Sequence, residues 1–447
     1  IGIFQIESAA QIQTIKRIKP VNLVDMAYEV ACVRPGVGVN DGVSQFIRRR
    51  NGENWEFDHE LERDALGKTL GVILFQDQVN KLAMDVGGLT EVEADELRRA
   101  FGWKRSDSII NSYKKHFIFG ANKKGVRSET AIKIFQKFNG QYMFPESHAF
   151  AFGITAYHMA WLKYYYPLEF FVALFNQQPM GFYNLETLKE DAKRHNIVVI
   201  NPDINSSAVS CVIKEGKLLL GLNNIKSLGD NASIKIVFER NLKGFFINVS
   251  DFMARTNVSY LQGKNLVHSG ALDTFNNSNR RELLWELGIY ESKPDNQSVM
   301  NLDFTNLTPA LNKPSDWENM INEYSALGLY PNGHVMEHIR KDLSDNVLDS
   351  KQIIDCELNQ IIQVAGLVIR RQRPLSKAVF LTIEDEFGHI PLMVLPDIYE
   401  RYQWELSKEL IMISGMISRR EGTFNIIVTK AWNLSDVLKF GGSKNWQ

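Results

Sequence analysis

Cysteine is scarce in this sequence. Cys32, Cys211 and Cys356 stand far apart, with no CxxC and no histidine at ligand spacing. That pattern excludes a disulfide framework, offers no structural zinc site, and fits a reducing, cytoplasmic compartment. Long apolar runs are missing as well: no stretch approaches the roughly 20 residues that a membrane span needs, so no membrane partner is expected. There is no basic leader with a cleavage site and no initiator Met, from which a piece of a longer protein is expected. Nor does the chain carry a global charge excess, with 51 Lys and Arg against 52 Asp and Glu in 447 residues. What remains is a globular composition, 44% hydrophobic and 23% charged, long enough for two to four domains of about 150 residues each.

The neutral total hides a local field. Between Arg98 and Lys137 eleven cations face only Asp107 and Glu129, an excess of nine. The run includes Lys114, Lys115, Lys123 and Lys124, and it follows a helix that Thr90 caps, with acids in its first turn and Arg98 and Arg99 in its last. Lys104 and Arg105 extend the series. A field of this density is aimed at a polyanion; the plain alternative is a solvated lysine-rich face.

Around this stretch the periodicities give mostly helices. Ile12, Ile15 and Ile18 mark one that Pro20 ends, and another runs from Leu23 to Val33 before Arg34-Pro35-Gly36. Arg48, Arg49 and Arg50 read as an exposed basic turn. Gly36, Gly38 and Gly42 have the wrong spacing for a dinucleotide loop and read as a plain loop. Gly71 to Gln78 feed a helix through Met84, and Phe144 to Gly153 feed a long aromatic helix that Pro167 stops. On the latter, His158 reads as a core histidine, while His148, between Ser147 and Ala149 beside the basic run, is a site candidate.

Farther on, Lys226-Ser227-Leu228-Gly229 and Val267-His268-Ser269-Gly270 each suggest a helix-hairpin-helix turn, in which glycine lets backbone N–H groups approach a phosphate whatever the sequence. Residues 290 to 318 are polar and aperiodic, a linker holding an apolar island at Gln297, Met300, Leu302 and Phe304 that suits a partner's groove. From Ile362 five short strands with a helix near Ile398 predict an OB-fold whose first loop is basic at Arg370, Arg371, Arg373 and Lys377. The acidic triplet Glu384-Asp385-Glu386 reads as a solvated turn rather than a metal site.

Taken in order, GIFQIES, the RPG turn, GVILFQDQV, ELRRAFGWK, FPESHAFAFG, PDIN, the tandem hairpins and the barrel resemble the C-terminal part of a bacterial C-family DNA polymerase, the DNA polymerase III alpha subunit. The barrel text VAGLV, RQRP and PDIYERY, and the ending soon after it, are most similar to the error-prone, ImuC-like DnaE branch. The resemblance implies a multidomain chain: mainly α fingers at 1–172, a tandem helix-hairpin-helix (little finger) domain at 173–290, a linker at 291–358, an all-β OB-fold at 359–433 and a tail at 434–447. It implies a nucleotidyltransferase in damage-tolerant synthesis, with Arg98, Arg99 and Lys104 on the triphosphate and His148 near the deoxyribose; Arg34, Gln76 and Lys81 fall in shared motifs. DNA would be held by Lys114, Lys115, Lys123, Lys124, Ser227, Gly229, Ser269, Gly270, Arg370, Arg371 and Arg373. Gln297, Met300, Leu302 and Phe304 would dock on the beta sliding clamp, with ImuA/ImuB-like accessory proteins as further partners. The palm carboxylates that hold Mg²⁺ belong upstream of Ile1; Asp203 is no substitute, because Asn205 stands where a second carboxylate is needed. No catalytic or metal residue is therefore assigned in this chain, and alone it is expected to be inactive. The rival reading is a non-catalytic DNA-binding fragment, or a part of the main replicative polymerase.

Overall fold

The computed structural model describes residues 1–33, 42–101, 107–138, 145–181, 183–275, 279–291, 309–373, 378–420, 423–434 and 444–446. They form two compact units, Gly2–Trp161 and Leu162–Gln447 with Ile1.

The first unit is helical: α1 Ala9–Ile18, α2 Leu23–Cys32, α3 Gly42–Arg50, α4 Arg63–Leu66, α5 Gln76–Asp85, α6 Glu91–Ala100, α7 Asp107–Lys123, α8 Ser128–Gln136 and α9 Glu146–Tyr165, which carries the chain out of the unit. The capping signals read from the sequence are in place: Thr90 Oγ1 accepts from Glu93 N, and the Glu93 carboxylate returns to Thr90 N at 2.8 Å. Behind α6 the rings of Phe101, Phe117, Phe135 and Phe138 pack mostly edge to face, with centroids 5.2 to 6.3 Å apart. Each such pair contributes about 1 kcal/mol beyond its buried area, and together they hold α7 and α8 to the helix bearing Arg98. Arg48–Arg50 close α3 rather than forming a loose turn: Arg49 donates to Leu70 O at 2.6 Å and Arg50 to Asp25 at 2.6 Å.

The second unit begins with α10 Pro167–Asn176 and α11 Leu185–Arg194, then a small sheet of β1 Val199–Ile200, β2 Val212–Lys214 and β3 Lys217–Leu219. Helices α12 Gly229–Lys243, α13 Val249–Thr256, α14 Tyr260–His268 and α15 Arg280–Glu291 follow. Much of the expected linker is folded: α16 Asp316–Leu327 and α17 Val335–Ile339 send Met320, Tyr324, Val335 and Met336 into one core with Ala365, Leu367 and Leu410. The sequence masked this because α16 starts directly after Pro314, with Ser315 as its cap.

Strands β4 Val347–Leu348, β5 Ile361–Gln372, β6 Val379–Glu384, β7 His389–Val394, β8 Leu410–Arg420 and β9 Thr423–Asn433 follow, with α18 Pro396–Arg401 and α19 Gln403–Leu406 between β7 and β8, and β10 Lys444–Trp446 last. The pairing β5-β6-β7-β9-β8 closes on itself through β5–β8, and β7–β9 is parallel. This is the five-stranded closed barrel of an OB-fold. Register shifts in β5 between Val368 and Arg370, and in β8 between Ser414 and Gly415, supply the bends that closure needs.

The acidic triplet is not a solvated turn. Glu384 and Asp385 are fully buried: Glu384 accepts from Thr187 Oγ1 at 2.9 Å and Arg194 Nη2 at 3.0 Å and lies 2.9 Å from His389 Nε2, while Asp385 accepts from Ser350 N and Oγ at 2.6 Å. Glu386 pairs with Arg340. The three carboxylates join the barrel to α11 and to the segment around α17.

Candidate nucleotide and nucleic-acid interface

In the first unit, α6 ends on Arg98 and Arg99, and both guanidiniums reach the one Asp95 carboxylate, at 2.6 and 2.7 Å. Gln76 Oε1, at the start of α5, accepts from Arg98 Nη1 at 3.1 Å. The Arg98 hydrogen bond, reinforced by the charge of both arginines, holds the Asp95 carboxyl below the usual carboxylate range. Two fixed cations on one carboxylate leave a net positive charge, with Arg98 half-buried and Arg99 73% exposed. Next to Gln76, Asp77 Oδ2 accepts from Glu146 N at 2.7 Å, which pins the first turn of α9 to the start of α5 and brings its His148 to the same end of the unit. The His148 ring is half-buried, its centroid 4.4 Å from that of Phe152.

Asp95 and Asp77 were not singled out from sequence, nor was Gln78, which braces the site from behind. Its Oε1 accepts from Leu74 N and Phe75 N, and its Nε2 donates to Ala65 O and Thr69 Oγ1. A Gln at the third helical position, after a cap residue without an acceptor side chain, was the available signal.

Space compensates part of the charge excess counted along the chain. Lys133 and Lys137 pair with Asp58, and Lys137 also with Glu62. Lys124 donates to Met84 O and Asp85 O at 2.8 and 2.7 Å, capping the C-terminus of α5. Lys81 donates to Asp64 O. Lys123 lies over the Phe119 ring at 4.4 Å, and Lys115 and Arg127 are exposed, with Lys114 half-buried beside them on α7. His158, expected in the core, is exposed on α9. Arg34, Lys104, Arg105 and Lys377 lie outside the described residues, as do Gln297, Met300, Leu302 and Phe304.

In the second unit the two hairpins differ. The first follows only a 3-10 turn, Leu222–Asn224, but it is open: Lys226, Ser227 and Gly229 are exposed, Gly229 takes φ 62° at the start of α12, and Asn265 Nδ2 fixes the turn on Lys226 O at 2.9 Å and Ser227 Oγ at 2.8 Å. In the second, Ser269 and Gly270 are buried. The Ser269 hydroxyl donates to Leu266 O, its carbonyl accepts from Asn201, and a Cβ on Gly270 would meet Arg280 Nη2 at 2.5 Å. That turn is used for packing, so of the two only the first hairpin leaves its backbone open to solvent.

On the barrel, Phe380 and Thr382 of β6 and Pro391 and Met393 of β7 point outward, beside Arg370 and Gln372 of β5 in register. Arg373 is exposed over the Tyr399 ring at 4.9 Å. Arg371 is spent internally: Nη2 donates to Leu406 O at 2.6 Å, and burial lowers its pKa. Asp203 Oδ1 accepts from Asn205 N in a local turn, Asn205 is bonded to Phe246, and no group of three or more metal-ligating side chains gathers among the described residues.

Residues 1–125 match the bacterial DNA polymerase III alpha subunit finger domain, residues 196–283 a helix-hairpin-helix motif and residues 362–434 an OB-fold nucleic acid binding domain. Over 442 residues the chain is 34% identical to an error-prone DNA polymerase of Corynebacterium glutamicum, covering 96% of this chain and 41% of that protein. Error-prone DNA polymerases of Mycobacterium tuberculosis and Nocardia farcinica are 33% and 32% identical over 97% and 96% of this chain, and 40% and 39% of their own. The chain thus spans about 40% of the length of these relatives. Among solved structures, asparaginyl-tRNA synthetase from Pyrococcus horikoshii overlaps 19% of this chain and 21% of its own at 22% identity, with a TM-score of 0.16. The chain thus carries a DNA polymerase III alpha subunit finger domain, a helix-hairpin-helix motif and an OB-fold in that order, and it is similar along nearly its whole length to error-prone DNA polymerases.

Proposed function

We propose that these residues are the fingers and DNA-gripping part of an error-prone DNA polymerase, which extends a primer 3′-hydroxyl on a DNA template with deoxynucleoside triphosphates during damage-tolerant repair synthesis. The observation that carries this reading is the Arg98 cluster, in which Asp95 and Gln76 fix two guanidiniums before any anion arrives. A triphosphate docking there meets oriented donors, so charge developing on its oxygens in transfer is met without reorganisation. Arg98 and Arg99, with Lys104 beyond them, bind and orient the phosphates, and His148 contacts the sugar. Palm carboxylates outside these residues would hold divalent ions such as Mg²⁺, which would supply activation of the primer hydroxyl and charge neutralisation at the leaving pyrophosphate. The Ser227–Gly229 hairpin holds duplex backbone, and the outer face of β6 and β7 with Arg370 and Arg373 takes a single strand. Gln297, Met300, Leu302 and Phe304 dock on the beta sliding clamp, and ImuA/ImuB-like proteins assist in the cytoplasm.

Single-turnover incorporation by the full-length polymerase tests the nucleotide site. Arg98→Ala is expected to weaken deoxynucleotide binding and slow transfer, lowering their ratio by about 100-fold; unchanged values for both would overturn the assignment. A second reading, a non-catalytic DNA-binding fragment, is favoured by the exposed hairpin and barrel face. DNA binding by these 447 residues without nucleotide addition would fit it.

A further inference from the structure

Within the first unit α9 has two unlike faces. One carries Ala149, Gly153 and Ala156, all buried, and it lies so close to α2 that a Cβ on Gly153 would sit 2.9 Å from Ala27 N. The other carries Ile154, Tyr157 and Trp161, which are 39, 46 and 43% exposed. From Ser147 to Trp161 there is no Asp, Glu, Lys or Arg.

An exposed aromatic strip of this kind marks a contact surface. Nucleic acid is a poor occupant, because binding a phosphate backbone draws on Lys and Arg, and this stretch has none. A second copy is a poor occupant too: three side chains on one helix fall well short of the roughly 800 Å² per partner that a stable dimer buries. A surface of the same polypeptide needs no such area, since covalent connection supplies the effective concentration. The relatives have that polypeptide to spare, because this chain covers only 41% of the C. glutamicum protein.

Resting on the polymerase reading above, we propose that the Ile154–Tyr157–Trp161 face of α9 is the seat for an uncharged, apolar surface contributed by the remainder of the polymerase chain. The first turn of the same helix is tied to Asp77 beside Gln76, so whatever seats on α9 also bears on the helix that positions His148 relative to Arg98.

Hydroxyl-radical footprinting of the full-length polymerase, without DNA and at concentrations where sedimentation shows a monomer, tests this. Ile154, Tyr157 and Trp161 are expected to be oxidised at least tenfold more slowly than in the unfolded chain, while Phe238 and Trp404, 60 and 58% exposed, stay reactive. Oxidation of all five residues at similar rates overturns the proposal. So does protection that appears only when DNA is added, or only when the protein dimerises. Primer extension by the same preparation separates the two readings: an active enzyme with an unprotected α9 sinks the seat alone, and a protected α9 in a protein without polymerase activity supports the seat while sinking the polymerase reading.

Discussion

Glu29 in the helical unit and Glu384 in the barrel are both fully buried, yet they titrate in opposite directions. Glu29, on α2, has no hydrogen-bond partner for either carboxylate oxygen among the described residues, and burial alone pushes it up to about 8. Burial raises Glu384 as well, but the charges of His389 and Arg194 and the hydrogen bond to His389 outweigh it and bring it to about 2. Depth deprives both groups of water; the partners decide the sign. The comparison extends to whole regions. The first unit keeps most of its charge at the rim, where Lys133, Lys137, Arg98 and Arg99 meet carboxylates in partial contact with solvent. The second unit instead buries a connected set on α11: Lys189 lies between Glu186, at 2.9 Å, and Glu190, and donates to Gly333 O at 2.6 Å, while Tyr324 Oη donates to Glu186 at 2.6 Å.

The comparison is broken most severely by Lys189→Met, which strands two buried carboxylates. Chemical denaturation of the second unit should show a loss of about 4 kcal/mol, and a loss below about 1 would mean that the carboxylates take up protons at little cost. Glu384→Gln comes next, at about 3 kcal/mol near neutral pH. Because the folded pKa lies below the free value of 4.5, the contribution is complete above about pH 5 and lost as pH falls toward 2, so wild type and variant should converge in acid. Glu29→Gln should do the reverse. The unfolded chain ionises at 4.5 while the folded one keeps its proton to about 8, so the wild type loses stability as pH rises between those values. The variant should therefore gain about 2 kcal/mol at pH 7 and nothing at pH 4. A loss at pH 7 would show that Glu29 has an ionic partner. Smallest is Asp95→Asn, a carboxylate 30% exposed with the same kind of arginine partner: thermal unfolding should move by less than about 0.5 kcal/mol, because solvent screens the pair.

Short-range features were the legible ones. Thr90 before an acidic turn, the alternation along β6 and β7, and Pro167 between two helices all follow from backbone geometry within a few residues, and the structure has each in place. The finger, hairpin and barrel order was legible for the same reason, as a series of local patterns. What the sequence concealed depends on pairs distant along the chain. Lys137 looks like a free cation until Asp58 and Glu62 are folded against it, and Glu384 looks solvated until Thr187 and Arg194 arrive from α11. The two Gly turns look alike in sequence, and only the approach of Arg280 and Asn201 separates the buried one from the open one. Arg98 itself was readable as a cation, whereas its holders Asp95 and Gln76 became identifiable only once α5 and α6 were side by side.

Strand β5 pairs with β4, β6, β8 and β10, more partners than any other described strand, and with β8 it forms the seam where the barrel closes. A ribosome releases Ile361 well before Leu410, its companion Leu367 having to wait for that residue to emerge. Closure is therefore a late event in synthesis, governed by the slow search for a distant mate rather than by any local turn. Until β8 appears, β5 has one long side open to other chains, and the nascent chain is most prone to aggregate during that interval.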